Sequence, residues 1–271
     1  MCGLPLLFIP TLFSSAHIGC VFYDGGSVRN YLVKVKSFLD QNPNEVLTLL
    51  FTNPESQPVV TVWKPIFDQA GLTSYIYVPP HTPMKYDEWP TLGDMIDSGK
   101  RVVMFLDHGA DTTAVNFILP EFDMIWETPY GITNSSFPCA VDRISGPLST
   151  AEHMYMINHS LNKDVLGIVV SDPIDAVTTN GDTSILNNAH GCAPLGGDRN
   201  PNFLLLDFVD QGDAFHAADV LNGVASSGSS GSSNGTVGSS SKTNSASLQT
   251  WSKTHTQICV IPMFVVFLLY Q

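Results

Sequence analysis

Residues 89 to 107 read WPTLGDMIDSGKRVVMFLD, and the fold class follows from how this stretch divides. Thr91 is placed to cap a helix, with Asp94 three residues on as a near capping box. Leu92, Met95 and Ile96 repeat at the i, i+3, i+4 spacing of a short amphipathic helix. Gly99 can end it, because a left-handed residue costs glycine nothing. Lys100 and Arg101 stand where cations complement a helix C-terminus. Val102 to Leu106 then runs apolar without alternation, the mark of a strand covered on both faces, as in parallel sheets. Asp107 and His108 follow at the strand's C-terminal end, the edge on which α/β folds usually house chemistry.

Outward from this unit the same alternation continues. Ser27 can cap a helix running to Gln41, with Val28, Leu32, Val35, Phe38 and Leu39 on its apolar face and Asn42-Pro43 as its stop. Glu45 to Thr52 reads as a buried strand, and Val59 to Ala70 as a helix. Tyr75 to Trp89, rich in Pro, Tyr and His, reads as a long irregular loop. Thr113 to Phe122 is expected to be a helix and Asp123 to Glu127 a short strand. Met154 to Asn158, Leu166 to Val170 and Asn202 to Phe208 are further strands, the second cut short by Asp172-Pro173. Strands alternating with helices imply a parallel sheet. No repeat of solenoid length is present.

The bulk numbers narrow the function. The chain has 271 residues and a formal net charge of −13, so it lacks the basic surface a nucleic-acid backbone requires. Charge alone would not hold it on anionic lipid either. Its five cysteines (Cys2, Cys20, Cys139, Cys192, Cys259) are scattered without a C-x-x-C spacing, which argues against a zinc site. No acidic cluster suggests another metal, and no cofactor is expected.

Several long blocks together resemble the phospholipase C-like phosphodiesterases, the X-domain relatives of phosphatidylinositol-specific phospholipase C. They are the opening stretch, YDGGSVRNYLVKVKSFLDQNPNEVLTLLF (Tyr23 to Phe51), WETPYGITNSSFPCAVDR (Trp126 to Arg143) and NFLLLDFVDQGD (Asn202 to Asp213). The resemblance implies a TIM-type (β/α) barrel over residues 17–224. It also implies cleavage of a phosphodiester, lipid or other, by two histidines acting as base and acid. His17, in AHIGCVFYDGG, takes the second histidine's place and would be the general acid, although Ala16 stands where relatives often have cysteine. A Gly-Ala-His-Asn/Asp-Ser segment carrying the first histidine is not in the sequence, nor are the first barrel strands. The barrel is therefore expected to be incomplete at its N-terminus, and residues 1–16 read as a signal-like or truncated start. The resemblance implies extracellular disulfides as well. In a secreted chain Cys139 and Cys192 are one pairing open to it.

Other residues enter by their own chemistry. Asp207 is a carboxylate in the apolar run LLLDFVD, and burial is costly for it unless it is paired. It could orient a histidine, or be satisfied by backbone donors. Asp107 and His159 end strands and are candidates to line the substrate mouth, although His159 reads more simply as a surface residue. Arg143 could contact phosphate or pair with Asp142. Three N-x-S/T sequons occur: Asn134 and Asn234 are expected to carry glycans, while Asn158, at a strand end, reads as a pocket or structural residue.

The C-terminus has its own logic. Residues 225–247 are nearly all small and polar, a flexible tether. Residues 248–271 form a polar spacer and an apolar tail, Ile258 to Tyr270, shorter than the roughly 20 residues a spanning helix needs. That order matches a glycosylphosphatidylinositol attachment signal, with Asn244 as the attachment residue and a cell-surface, extracellular location. The alternative to an enzyme is a catalytically silent surface relative lacking the first histidine. A glycoside hydrolase would need two paired carboxylates, and Glu45, Glu55 and Glu127 show no pairing in sequence.

Overall fold

The computed structural model describes residues 27–225 and a short strand at Val265–Leu268. The first helix, α1 (Val28–Gln41), begins where expected: the Ser27 hydroxyl accepts the Asn30 N–H at 3.2 Å. Its buried stripe is Val28, Leu32, Val35 and Leu39, while Phe38 is turned partly to solvent. Strand β1 (Leu47–Phe51) follows, then a π-helical turn at Val59–Trp63 that runs into α2 (Lys64–Ala70).

Helix α3 (Leu92–Ser98) and strand β2 (Val102–Leu106) realise the opening stretch. Thr91 Oγ1 accepts the Asp94 N–H and Asp94 Oδ2 accepts the Thr91 N–H, both at 3.1 Å. Thr91→Ala should cost about 1 kcal/mol, the usual value of an N-cap; an unshifted urea midpoint would refute it. Gly99 sits at φ 71°. The cations behave differently from the sequence reading. The buried Arg101 guanidinium reaches past α3 and donates to the carbonyls of Leu39, Asn42 and Glu45 at 3.0, 2.8 and 3.1 Å. It satisfies the end of α1 instead.

All five β2 residues are buried, and they alternate between two environments. Val102, Met104 and Leu106 pack with α1 and α2 residues such as Leu32 and Phe67. Val103 and Phe105 face Met154, Met156 and Phe203 across an interior. Strands β3 (Leu119–Pro120), β4 (Ile125–Glu127), β5 (Met154–Asn158) and β8 (Phe203–Leu206) complete the parallel set. No helix forms over Thr113 to Phe122. Val115, Phe117, Ile118 and Leu119 are all buried, which leaves no polar face for a surface helix. Asp111 Oδ1 also draws the Thr113 and Ala114 N–H groups into a turn.

Among the described residues the parallel strands fall into two sheets, β1-β2-β3 and β4-β5-β8, with β9 (Val265–Leu268) added antiparallel to β8. One turn joins β3 to β4, where the Ile125 N–H bonds the Glu121 carbonyl at 2.8 Å. Among the described residues no closed barrel is present, and the outer edge of β8 pairs with β9 rather than with a first parallel strand. The fold shown is therefore mixed α/β with short parallel sheets around a shared apolar interior.

The Leu166 to Val170 region also departs from expectation. It belongs to an exposed antiparallel hairpin, β6 (Asn162–Val165) with β7 (Ile168–Ser171). Leu166 and Gly167 turn it with φ 57° and 83°, the paired positive angles that two-residue hairpins need. Helices α4 (Ala176–Thr179), α5 (Asp182–Cys192) and α6 (Ala214–Leu221) follow around β8. A Cys139–Cys192 disulfide ties the segment after β4 to the end of α5.

Candidate active site

Strands β1 to β3 run parallel in one sheet and β4, β5 and β8 in the other, so within each sheet the C-terminal ends share an edge, and the polar residues there emerge from an apolar core. At the end of β2, Asp107 Oδ1 accepts the Asn53 N–H at 2.7 Å. Asn53, itself buried just past β1, donates through Nδ2 to the His108 carbonyl at 3.0 Å. Burial raises the Asp107 carboxyl above its ordinary range, against the opposing pull of the Asn53 N–H and the Arg143 charge.

The centre of the cluster lies beyond β3 and β4. Glu121 and Glu127 are each 1% exposed, and their carboxyl groups meet. Glu127 accepts a very short contact from Arg143 Nη2 and a 3.1 Å bond from Asn158 Nδ2. Glu121 has none of this support, and one of its oxygens is buried without a partner. Burial and the neighbouring Glu127 push its carboxyl up to about 11, so Glu121 holds its proton. The backbone fixes this arrangement: Glu127 and Arg143 form an antiparallel bridge, with the Glu127 N–H on the Arg143 carbonyl at 3.0 Å. The guanidinium lies over the rings of Tyr130 and Phe122, 4.7 and 4.9 Å from their centroids, a stacking that suits a planar delocalised cation.

Arg143 thus pairs with Glu127 and not with Asp142. Asn158 is buried, bonding Glu127 and the Thr128 carbonyl (2.6 Å), which fits the structural reading and leaves its sequon unused. Asn134 is exposed, its Oδ1 accepting the Ser136 N–H at 3.0 Å. His159 lines neither the mouth nor the surface. It is fully buried, with Nδ1 2.9 Å from Asn188 Oδ1, and Nε2 2.9 Å from the Thr179 carbonyl and 3.1 Å from Ser184 Oγ. The Phe137 ring covers it at 4.0 Å, and burial lowers its basicity. Both nitrogens face acceptors, so the side chain cross-links α5 to the strand end and is not free for chemistry.

Asp207 is 4% exposed at the end of β8. Neither carboxylate oxygen has a hydrogen bond of normal geometry; the Ser171 side chain is the one group that favours its charged form, and burial raises its pKa. It borders a void of about 10 Å³ shared with Ser160, Asp172 and Asn180. The structure does not join it to the Glu127–Arg143 group. His17, Asn234 and Asn244 lie outside the described residues. Among the described residues no three His, Cys, Asp or Glu side chains are grouped to hold a metal ion.

Sequence reasoning missed Glu121 altogether and named Glu127 only as an unpaired carboxylate. Two glutamates flanking one short apolar strand, PEFDMIWE, were the available signal. Their direct contact also disfavours a glycoside hydrolase, whose carboxylates stand about 5 Å or more apart.

Comparison with known proteins places the chain in a family. The chain matches the PI-PLC X 1 family over residues 11–222. It is 38% identical over 222 residues to PI-PLC X domain-containing protein 1 of Arthroderma benhamiae, covering 79% of this chain and 70% of that one. A second protein of that fungus, named only as an uncharacterized secreted protein, is 33% identical over 78% of this chain and 50% of its own length. A PI-PLC X domain-containing protein of Arabidopsis thaliana is 28% identical over 72% of this chain and 44% of its own. The chain thus spans half or less of the latter two. No solved structure matches.

Proposed function

Since the chain belongs to the PI-PLC X family, we propose that it is a phosphoric diester hydrolase of the phospholipase C-like type, on a (β/α) barrel architecture. The observation that carries the reading is Arg143, held at the strand-end edge between two aromatic rings with 34% of its side chain exposed. A fixed cation there can stabilise the charge that gathers on phosphorus oxygens in the transition state. His17 protonates the leaving alkoxide, and Asp207, a carboxylate without a firm partner, orients and charges that imidazole. Asp107 accepts a substrate hydroxyl. Resemblance to the family supports the substrate's own hydroxyl as nucleophile.

His17→Ala and Asp207→Asn should each lower turnover of a soluble diester at least about a hundredfold, the low end for acid–base groups. The asparagine variant removes an unpaired buried charge, so its fold is retained. Turnover unchanged in both variants removes the assignment.

A second reading, a catalytically silent surface relative, draws on charge: Glu127 already neutralises Arg143, and Asp107 leaves the mouth no net positive potential for a phosphate. A wild-type chain that cleaves no diester while binding its headgroup would favour it.

For location, the small-residue tether, polar spacer and short apolar tail support a glycolipid anchor at Asn244, with the extracellular site fitting the Cys139–Cys192 disulfide and glycans at Asn134 and Asn234. Among the described residues no helix is long and apolar enough to cross a membrane. Cleavage at Asn244 would remove β9 and free the outer edge of β8. Mass spectrometry of the cell-derived protein should find the tryptic peptide ending at Asn244 joined to glycolipid; the same peptide continuing unmodified through Ser245 overturns the anchor.

A further inference from the structure

Two buried carboxylates outside the Glu127–Arg143 group are short of partners, and they meet at one place. Asp207, at the end of β8, is 4% exposed, and Asp172, just past β7, is 2% exposed. Both border the void of about 10 Å³ that Ser160 and Asn180 also line. Asp172 Oδ1 is already engaged: it accepts the Ile174 and Asp175 N–H groups at 3.0 and 3.3 Å and pairs with Lys163 Nζ at 2.7 Å. Its Oδ2 is buried without a partner, as are both oxygens of Asp207. Three unmet acceptor oxygens thus belong to two acids that line a space of about one water molecule's size. Buried acceptors left in this state call for a bound group.

The candidate occupants differ in how much of this they answer. A proton serves one of the three oxygens. A water molecule has two hydrogens for three acceptors and leaves the charge where it is. A cation meets all three and offsets the charge, which burial otherwise makes costly. The charge count selects a divalent ion: Asp172, Asp175 and Asp207 carry three formal negative charges and Lys163 one positive, a local balance of −2. Oxygen ligands suit a hard cation, and the void has no His or Cys in its lining. Ser160 and Asn180 supply neutral oxygens of the kind that complete calcium sites. Magnesium keeps several waters in its shell, for which a space this small has no room.

We propose that Asp207 and Asp172 together hold one calcium ion, Asp207 through both oxygens and Asp172 through Oδ2. The ion ties the segment entering α4 to the end of β8. Ile174 and Val177 on that segment are exposed, so it has little apolar packing of its own and gains from such a tie. The site stands without the hydrolase reading and bears on it at one point: charge taken up by calcium is no longer available to His17.

Equilibrium dialysis and scanning calorimetry on the full-length chain test this, in about 0.1 M KCl, where surface charges are screened beyond about 10 Å. One calcium should bind per chain and raise Tm by at least about 3 °C at about tenfold over its Kd. Magnesium at the same concentration should not. Asp207→Asn and Asp172→Asn should each lose the ion, whereas Asp97→Asn, exposed on α3, should keep it. In chelator Asp207→Asn should melt above the wild type, because an unpaired buried charge is gone; with calcium it should melt below. A carboxylate with no ion to hold would give the same order in both buffers. The wild-type titration needs no variant, so misfolding of either one leaves the test intact. No calcium-dependent rise in wild-type Tm, an equal rise with magnesium or with sodium in place of potassium, or calcium retained by both variants overturns the site. The hydrolase reading fails separately. A wild type that binds calcium yet cleaves a soluble diester equally fast with and without it keeps the site and takes Asp207 out of the chemistry; one that cleaves but binds no calcium loses the site alone.

Discussion

Arg143→Ala is expected to lose about 3 kcal/mol of stability together with at least about a hundredfold in diesterase turnover. The stability loss comes less from the missing attraction than from what stays behind. Glu127 is 1% exposed and would be left with Asn158 Nδ2 and the Glu121 carboxyl as its side-chain donors and no cation beside it. Breaking a buried pair costs about 3–5 kcal/mol, and the lower end applies because the guanidinium is one-third exposed. The double variant Arg143→Ala/Glu127→Gln removes the stranded charge, so it should recover most of the stability and none of the turnover. Equilibrium urea unfolding and initial rates on a soluble diester measure the two effects separately. Wild-type turnover in a folded Arg143→Ala protein would take Arg143 out of the chemistry. Arg143→Lys should fall between, because an ammonium cannot lie flat between Tyr130 and Phe122.

Glu121→Gln is expected to stabilise the protein at neutral pH. The folded carboxyl is raised to about 11 from an ordinary value of 4.5, by burial and by Glu127. The native state therefore keeps a proton that the unfolded chain releases above pH 4.5. Stability from that proton is complete below about pH 4.5 and declines as pH rises toward the folded value. At pH 7 the unfolded state has gained about 3 kcal/mol, 2.5 pH units at 1.36 kcal/mol each. Glutamine does not ionise in either state and can still donate to Glu127. The Tm advantage of Glu121→Gln should be near zero at pH 4 and grow up to pH 7. An advantage independent of pH would show that Glu121 does not hold the proton.

Much of the local structure was legible in the sequence because its causes are local. Thr91, Asp94 and Gly99 bracket α3 through bonds within four residues, and Ser27 and Asn42-Pro43 bracket α1 likewise. Buried β2 followed from an apolar run without alternation. The family resemblance, carried by four blocks in order, is confirmed by the match over residues 11–222. Where apolar runs were short, the same reasoning failed. Phe117 to Leu119 and Ile168 to Val170 look alike in composition, yet the first is buried against β2 and the second stands in solvent. Only distant neighbours distinguish them.

The candidate site shows the same division. Which strand ends carry Asp107, Glu127, Asn158 and Asp207 could be read one segment at a time, since a strand's end is a property of that strand. Which of them touch could not. Parallel pairing of β4 with β5 sets Asn158 beside Glu127 across 31 residues, and the bridge to Arg143 converts a cation expected for phosphate or Asp142 into the partner of a buried acid. The sinking of His159 beneath Phe137, the proton on Glu121 and the unmet carboxylate of Asp207 all follow from burial, which depends on the whole chain. Sequence alone determined the caps, the strand runs and the family; tertiary structure decided which charges are paired, because electrostatics acts through space and is indifferent to position along the chain.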